Sequence, residues 1–197
     1  MSTVCVTDGD LVARARQGDP AAFGELVDRH RAAVYRAAFA ALRSPADAED
    51  AAQDAFLLAY RRLDSFRGDA SFKTWLLTIT WHQAINRRRS LGSVWRTLVN
   101  PKTDDEAEAV MAGVASGGPS PEQTVAGAQL RSAIRDAIRA LSPKLRDALL
   151  LAQAGDYSYE EIGAMLGAPL GTIKWRVSEA RRVIRKHLQE RGYGDAG

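Results

Sequence analysis

The side chains best suited to catalysis or metal binding in this chain are three histidines and one cysteine. His30, His82 and His187 lie far apart and form no short ligand motif such as H-x-x-x-H. Cys5 is the only cysteine, which excludes an internal disulfide and a cluster of thiolate ligands. The sequence has neither a glycine-rich phosphate loop after a strand nor a nucleophile elbow. We therefore expect no metal site, no cofactor and no catalytic activity.

Charge is distributed unevenly along the chain, and this indicates a polyanionic partner. The 197 residues carry a formal net charge of only +3. Residues 170–191 nevertheless hold seven basic side chains against two acidic ones, whereas residues 101–130 hold one basic against five acidic. A basic segment of this kind suits the phosphates of a nucleic acid.

The basic segment has the pattern of a helix-turn-helix, in which a short helix and a glycine-containing turn precede a longer helix. The longer helix has a buried stripe with spacings of three and four: Ile173, Val177, Ala180, Ile184 and Leu188. Off this stripe lie the candidate DNA-contacting residues Thr172, Lys174, Trp175, Arg176, Glu179 and Arg182. An exposed first turn with Thr and Arg suits base edges in the major groove, and later arginines suit phosphate. The alternative is a solvated basic helix on an ordinary helical bundle.

A second candidate surface is acidic. Asp47, Asp50 and Asp54 share one face of a predicted helix, because they fall at positions i, i+3 and i+7. Carboxylates near a helix start also favour the helix dipole, which accounts for Asp47 and partly for Asp50 but not for Asp54 or Gln53. We therefore expect a docking face for a basic partner.

A third candidate surface combines aromatic and basic side chains around a predicted loop and helix. Its members are Phe66, Arg67, Trp75, His82, Asn86, Arg87 and Arg88. Rings can stack on bases and cations can follow the backbone of a single strand. Trp75 fits this role and a place in the hydrophobic core equally well, whereas Leu76 and Ile79 fit the core.

The elements that must position these residues are helices. Cap-then-proline signals at Asp19-Pro20, Ser44-Pro45 and Ser142-Pro143, together with a capping box at Ser158–Glu161, predict helix starts. No segment alternates as a strand does. We predict an all-α chain with two small helical domains at residues 8–90 and 127–192. A flexible acidic linker is predicted at residues 91–126, because Gly, Pro, Ser and acidic residues collect there.

The C-terminal motifs resemble region 4 of bacterial sigma factors. The stretch EEIGAMLGAPLGTIKWRVSEARR is similar to the family's E-I-[AG]-x-x-[LM]-G turn and G-T-[VI]-K-S-R-x-x-R-A-R recognition helix. Trp175 stands where Ser is usual and Glu179 where Arg is usual, near the side that faces DNA. The ring of Trp175 can lie along the groove edge or fold back onto the preceding turn, and we favour the groove edge.

The N-terminal motifs resemble region 2 of the same family. The stretch DAEDAAQDAF matches D-x-x-D-x-x-Q-x-x-F, and FKTWL matches F-x-x-W-L. The resemblance implies that Asp47, Asp50, Gln53 and Phe56 grip the clamp helices of the polymerase β′ subunit. It also implies that the loop at Phe66–Ser71 and the following helix open the minus-ten element and hold a flipped base. Thr80-Trp81-His82 departs from the usual small residue–Arg–Asn, so an unusual minus-ten preference is expected.

The chain is thus identified as a member of the small, two-domain extracytoplasmic-function (ECF) sigma factors. This implies binding to core RNA polymerase, through the β′ clamp helices and the β flap, and to promoter DNA at the minus-ten and minus-thirty-five elements. An anti-sigma factor is a further partner implied by the family. The sequence has no secretory signal and no apolar run near the ~20 residues of a membrane span, so we expect a cytoplasmic protein. The rival function is a stand-alone helix-turn-helix regulator.

Overall fold

The computed structural model describes residues 6–90, 121–154 and 157–193, and every regular element within these ranges is helical. In the first range the elements are α1 (Asp8–Arg16), α2 (Pro20–Leu42), α3 (Pro45–Arg61), a 3-10 turn (Leu63–Ser65) and α4 (Phe72–Ser90). The later ranges hold α5 (Pro121–Ala140), α6 (Pro143–Gln153), α7 (Tyr159–Leu166) and α8 (Leu170–Glu190). The predicted all-α fold is confirmed.

The chain divides into two compact units, the first containing residues 6–90 and the second most of residues 121–193. Residues 91–120 of the predicted linker lie outside the described residues. Helix α5 begins at Pro121, earlier than the start near Gly127 that the sequence predicts, so the last six residues assigned to the linker are helical.

Side-chain caps fix the helix starts of the first unit. Thr7 accepts a hydrogen bond from the backbone N–H of Asp10, whose carboxylate accepts one from the N–H of Thr7 in return. Asp19 caps α2 and Ser44 caps α3, in both cases directly before a proline at the first helical position. These caps satisfy backbone donors that a helix start leaves without intrahelical acceptors.

The core of the first unit is rich in alanine. Helices α2, α3 and α4 pack against one another. Their buried alanines are Ala22, Ala33, Ala37, Ala38, Ala40, Ala41, Ala48, Ala51, Ala52, Ala55, Ala59 and Ala84. Small side chains let helix backbones approach closely, and the largest fully buried residue, Trp81 on α4, fills much of the remaining volume. Thr80 and Trp81, two of the three residues that depart from the family pattern on α4, are both buried.

The second unit is built around α8, which packs against α5 and α6. One apolar cluster joins the buried residues Leu141, Leu149 and Ala180. The predicted stripe on α8 is confirmed for Ile173, Val177 and Ala180, which are fully buried, whereas Ile184 and Leu188 are half-buried.

Local signals in the second unit are confirmed in part. The Ser158–Glu161 capping box is present, with hydrogen bonds of 2.8 and 3.1 Å between each side chain and the other residue's N–H. Helix α6 begins at Pro143 as predicted, but the side chain of Ser142 makes no cap hydrogen bond. Gly163 lies on α7, and a Cβ at this position would lie 2.7 Å from the carbonyl oxygen of Ala168 in the turn before α8. Position 163 therefore requires glycine.

Candidate functional site

The acidic residues of α3 converge on one arginine of α4. Arg87 donates from Nε to Oδ1 of Asp47 at 3.1 Å and from Nη2 to Oδ2 of Asp50 at 2.6 Å. Its Nη1 lies 3.9 Å from Oδ2 of Asp54. We call Asp47, Asp50, Asp54 and Arg87 the acidic cluster. Ser44 caps α3 by accepting from the N–H of Asp47, and the spacing i, i+3, i+7 places the three carboxylates on one face of the helix.

The acidic cluster keeps an excess of negative charge. Three carboxylates surround one guanidinium, which leaves two formal negative charges at neutral pH. Partial burial lowers the pKa of Arg87, but the hydrogen bonds that Arg87 donates to Asp47 and Asp50 outweigh it, so the pKa lies above its ordinary value. Asp50 and Asp54 remain exposed at the surface. The cluster therefore holds α3 to α4 and still presents a negative surface.

The other two residues predicted on this face differ in accessibility. Gln53 is exposed, whereas Phe56 is half-buried. A polar cleft of about 300 Å³ opens beside the cluster and is lined by Ala51, Asp54, Gln83, Asn86, Arg87 and Ser90. The sequence predicted Asn86 and Arg87 for minus-ten DNA, and the structure places both at this cleft.

The predicted single-strand surface has an aromatic centre. The ring of Phe66 lies 5.7 Å from that of Phe72, edge to face, and 5.3 Å from that of Trp75. Trp75 lies 5.8 Å from Phe72 and is half-buried, which leaves part of its ring accessible. Ser71 caps α4 by accepting from the N–H of Thr74, which fixes the turn that carries Trp75. The sequence favoured a core and a surface position for Trp75 equally, and in the structure Trp75 lies at the boundary between the two.

The remaining residues of this surface are mostly accessible. Arg67 is exposed and pairs with Asp69 at 3.1 Å. His82 and Asn86 are exposed, and Arg88 is half-buried. Of the three consecutive departures from the family pattern, only His82 reaches the surface. Within the described residues, no three His, Cys, Asp or Glu side chains are arranged so that together they could hold a metal ion.

Helix α8 presents its first turns to solvent. Burial of Ile173 and Val177 turns the intervening residues outward: Lys174 is exposed, and the ring of Trp175 is 61% exposed. Thr172 and Arg176 are half-buried at the sides of this face. Trp175 therefore lies outside the hydrophobic core of the described residues.

One ion pair lies on the same helix, two turns further on. Arg182 donates from Nε and Nη2 to the two carboxylate oxygens of Glu179, at 2.8 and 2.7 Å. This hydrogen-bonded pairing lowers the pKa of Glu179 below its ordinary value, so the pair is charged at neutral pH. The spacing of three residues signals this contact in the sequence. The pairing of Arg87 has no such signal, because its acidic partners precede it by 33 to 40 residues.

Comparison with known proteins identifies the family of this chain. Residues 26–94 match Sigma-70 region 2, and residues 131–184 match Sigma-70 region 4. The ECF RNA polymerase sigma-E factor of Escherichia coli is 35% identical over 190 residues, which cover 93% of this chain and 95% of that protein. The chain belongs to the ECF sigma factors. The family resemblance seen in the sequence is confirmed.

Another ECF sigma factor and two solved structures are also similar to this chain. The sigma factor SigW of Bacillus subtilis is 31% identical over 188 residues, covering 91% of this chain and 95% of that protein. The structure of RpoE in complex with the anti-sigma factor NepR, from Bartonella quintana, superposes with a TM-score of 0.53 at 26% identity over 85% of this chain and 96% of that one. The structure of CnrH with the cytosolic domain of CnrY has a TM-score of 0.62 at 24% identity, over 93% and 97% of the two chains, and supports the fold.

As an ECF sigma factor, the chain is a DNA-binding subunit that directs RNA polymerase to promoters. The stand-alone regulator is the less favoured function, since both sigma regions occur in the family's order. Among the described helices, none combines the length and the apolarity required to cross a membrane.

Proposed function

We propose that α3 binds core polymerase, that the 66–71 loop and α4 open and hold the minus-ten element, and that α8 reads the minus-thirty-five element. The observation that carries this assignment is that each surface is exposed on its own element and has the charge its target requires. The acidic cluster is negative, whereas the first turns of α8 are basic and include an exposed aromatic ring.

The polymerase contact is assigned to Asp47, Asp50, Gln53 and Phe56. The excess negative charge of the acidic cluster suits basic helices such as those of the β′ clamp, because complementary potentials favour association and disfavour wrong partners. Half-buried Phe56 adds apolar contact one turn further along α3.

The minus-ten contact is assigned to Phe66, Arg67, Trp75, His82, Asn86 and Arg88. The accessible part of Trp75 can stack on a base, and base–aromatic stacking contributes about 1–3 kcal/mol per base. We assign Arg87 to the acidic cluster instead of DNA, because Asp47 and Asp50 already accept its hydrogen bonds.

The minus-thirty-five contact is assigned to Thr172, Lys174, Trp175 and Arg176 at base edges, and to Arg182 at phosphate. The N-terminal turns of a recognition helix reach the floor of the major groove, whereas later turns lie along the backbone. We assign Glu179 to holding the guanidinium of Arg182, where it competes with phosphate for the same donors.

Further partners follow from family membership. The β flap is assigned to an apolar cleft of about 450 Å³ in the second unit, lined in part by Leu149, Ile184 and Leu188. An anti-sigma factor is proposed because RpoE of Bartonella quintana, a similar structure, was solved with one. We place the chain in the cytoplasm with the polymerase, contributing no catalytic group of its own.

Run-off transcription with purified core polymerase tests this function. The template is a promoter fragment recovered from random DNA by selection with the reconstituted holoenzyme. We expect a discrete transcript with core plus the chain and none with core alone. The isolated chain should bind the same duplex weakly, because polymerase normally spaces the two DNA-binding units. Nanomolar, sequence-specific binding without core, combined with no transcript, would support the stand-alone regulator.

A further inference from the structure

One arginine of α1 reaches the loop that we assign to the minus-ten element. Arg16, in the last turn of α1, donates from Nε and Nη2 to the carbonyl oxygen of Leu63, at 3.2 and 2.9 Å. The same Nη2 also donates to the carbonyl oxygen of Phe66. These acceptors follow Arg16 by 47 and 50 residues, so no spacing in the sequence indicates the contact.

The two carbonyls bracket the 3-10 turn that begins the loop. Within the turn, the N–H of Phe66 donates to the carbonyl of Leu63 at 3.1 Å, and Leu63 is itself buried. The guanidinium of Arg16 donates to the carbonyl oxygen of the first residue of the turn and to that of the residue directly after the turn. A planar guanidinium has a fixed donor geometry, so this contact sets the direction in which the backbone leaves the turn.

The loop is also held by the aromatic ring of Phe66. Phe66 packs on Phe72 and Trp75 of α4, as described above. Beyond Phe66 the side chains of Arg67 and Asp69 are exposed, and Gly68 has a φ of 82°. The start of the loop is therefore fixed by α1 through its main chain and by α4 through its ring, whereas its tip faces solvent.

We propose that Arg16 is a positioning residue for minus-ten recognition. It fixes the backbone at Phe66, so that Phe66 and Arg67 are presented to the bases without a further loss of loop freedom on binding. Ordering a loop at the moment of binding lowers affinity, and an anchored loop avoids that cost. The proposal rests on the assignment of the 66–71 loop to the minus-ten strand.

The test compares Arg16→Lys and Arg16→Gln with Arg14→Gln in the complete holoenzyme. Arg14 is a matched control, because it lies on α1 but pairs with Asp19 instead of the loop. Binding is measured to promoter DNA with a pre-opened bubble, carrying either the selected minus-ten sequence or one with a substituted base. We expect both Arg16 variants to lose about tenfold in affinity for the selected sequence, and most of the discrimination between the two sequences. Core binding and the salt dependence of DNA binding should stay unchanged, as should all three readouts for Arg14→Gln.

The lysine variant separates positioning from charge. Lysine keeps the positive charge but lacks the planar guanidinium through which Arg16 donates from Nε and Nη2 together. Full rescue by Arg16→Lys would mean that positive charge at this position is sufficient, and would overturn the proposal. A loss of core binding in parallel with a lowered melting temperature would overturn it too, since Arg16 would then only stabilise the fold.

Phe66→Ala, measured in parallel, separates this proposal from the proposed function. If Phe66→Ala impairs bubble binding and Arg16→Lys does not, the role of Arg16 alone is refuted. If Phe66→Ala leaves bubble binding intact while run-off transcription persists, the loop does not read the minus-ten element. The positioning role then falls with it, but the sigma function stands.

Discussion

Helices α4 and α8 are the two helices assigned to DNA, and they use the same residue types in opposite ways. Each departs from the family pattern at a tryptophan: Trp81 of α4 is fully buried, whereas Trp175 of α8 is 61% exposed. Each also carries an arginine held by carboxylates. Arg87 reaches across to α3 and is 31% exposed, whereas Arg182 pairs within its own helix and is 64% exposed.

The difference shows that α4 is mainly a packing element that also carries the surface we assign to the minus-ten element, whereas the start of α8 is mainly exposed to solvent. A change on α4 should therefore alter the fold and the polymerase face together. A change on the exposed face of α8 should alter promoter choice with little effect on stability. Five predictions test this contrast.

The tryptophans should give the largest difference. Trp81→Ala should lower the free energy of unfolding by about 3–5 kcal/mol, because it removes a fully buried ring from an alanine-rich core. Trp175→Ser should change it by less than about 0.5 kcal/mol, since a mostly exposed side chain loses few contacts. Urea denaturation measures both.

The same Trp175→Ser variant should shift the preferred minus-thirty-five sequence toward that of family members with Ser at this position, by about 1 kcal/mol. Competition between promoter libraries measures the shift. A large stability loss with unchanged promoter choice would place Trp175 in the core and remove the contrast.

Charge reversal on α3 should give the next largest effect. Asp50→Arg should weaken binding to core polymerase by about 100-fold, because it introduces a positive charge beside Arg87 and opposite a basic partner. The measurement is a pull-down titration with core. Glu49→Arg is the control, since Glu49 is also exposed on α3 but lies outside the acidic cluster. An equal loss of core binding in both variants would mean that the effect comes from the change in overall charge and not from the acidic cluster.

The two arginine pairs should contribute unequally to the stability of the fold. Arg87→Gln should destabilise α3 and α4 by about 1–2 kcal/mol, because it removes charged hydrogen bonds between helices. Arg182→Gln should cost less than about 0.5 kcal/mol, as exposed pairs within a helix usually do. Native-state hydrogen exchange reports each helix separately. Combining Arg87→Gln with Asp47→Asn should cost less than the sum of the two single changes, and additivity would argue against a direct coupling.

Releasing Arg182 should give the smallest effect. Glu179→Gln removes the carboxylate that holds Arg182 and reduces repulsion of phosphate, so promoter affinity should rise about threefold. The slope of affinity against salt concentration should steepen by about one unit. Holoenzyme binding at several salt concentrations measures both quantities. A fall in affinity would instead show that Glu179 is needed to orient Arg182.

The fold class, most helix starts and the family could be predicted from local patterns in the sequence. Cap residues, prolines and apolar spacing act within one or two turns of a helix, so Thr7, Asp19, Ser44 and Ser158 indicate helix starts without knowledge of the fold. The stripe of α8 and the Glu179–Arg182 pair follow from helical periodicity for the same reason. The one cap that failed, Ser142, has the right type and place but makes no side-chain hydrogen bond.

Whether a candidate residue lies at the surface or in the core depends on how the helices pack together. Trp81 and His82 are adjacent in sequence, and the packing of α4 against α2 and α3 buries the first and exposes the second. Arg87 resembles a DNA-binding arginine until α3 brings its aspartates within reach. The contact of Arg16 with the backbone of Leu63 and Phe66 likewise depends on how α1 meets the 3-10 turn. Contacts over such separations depend on helix packing, which local periodicity does not encode.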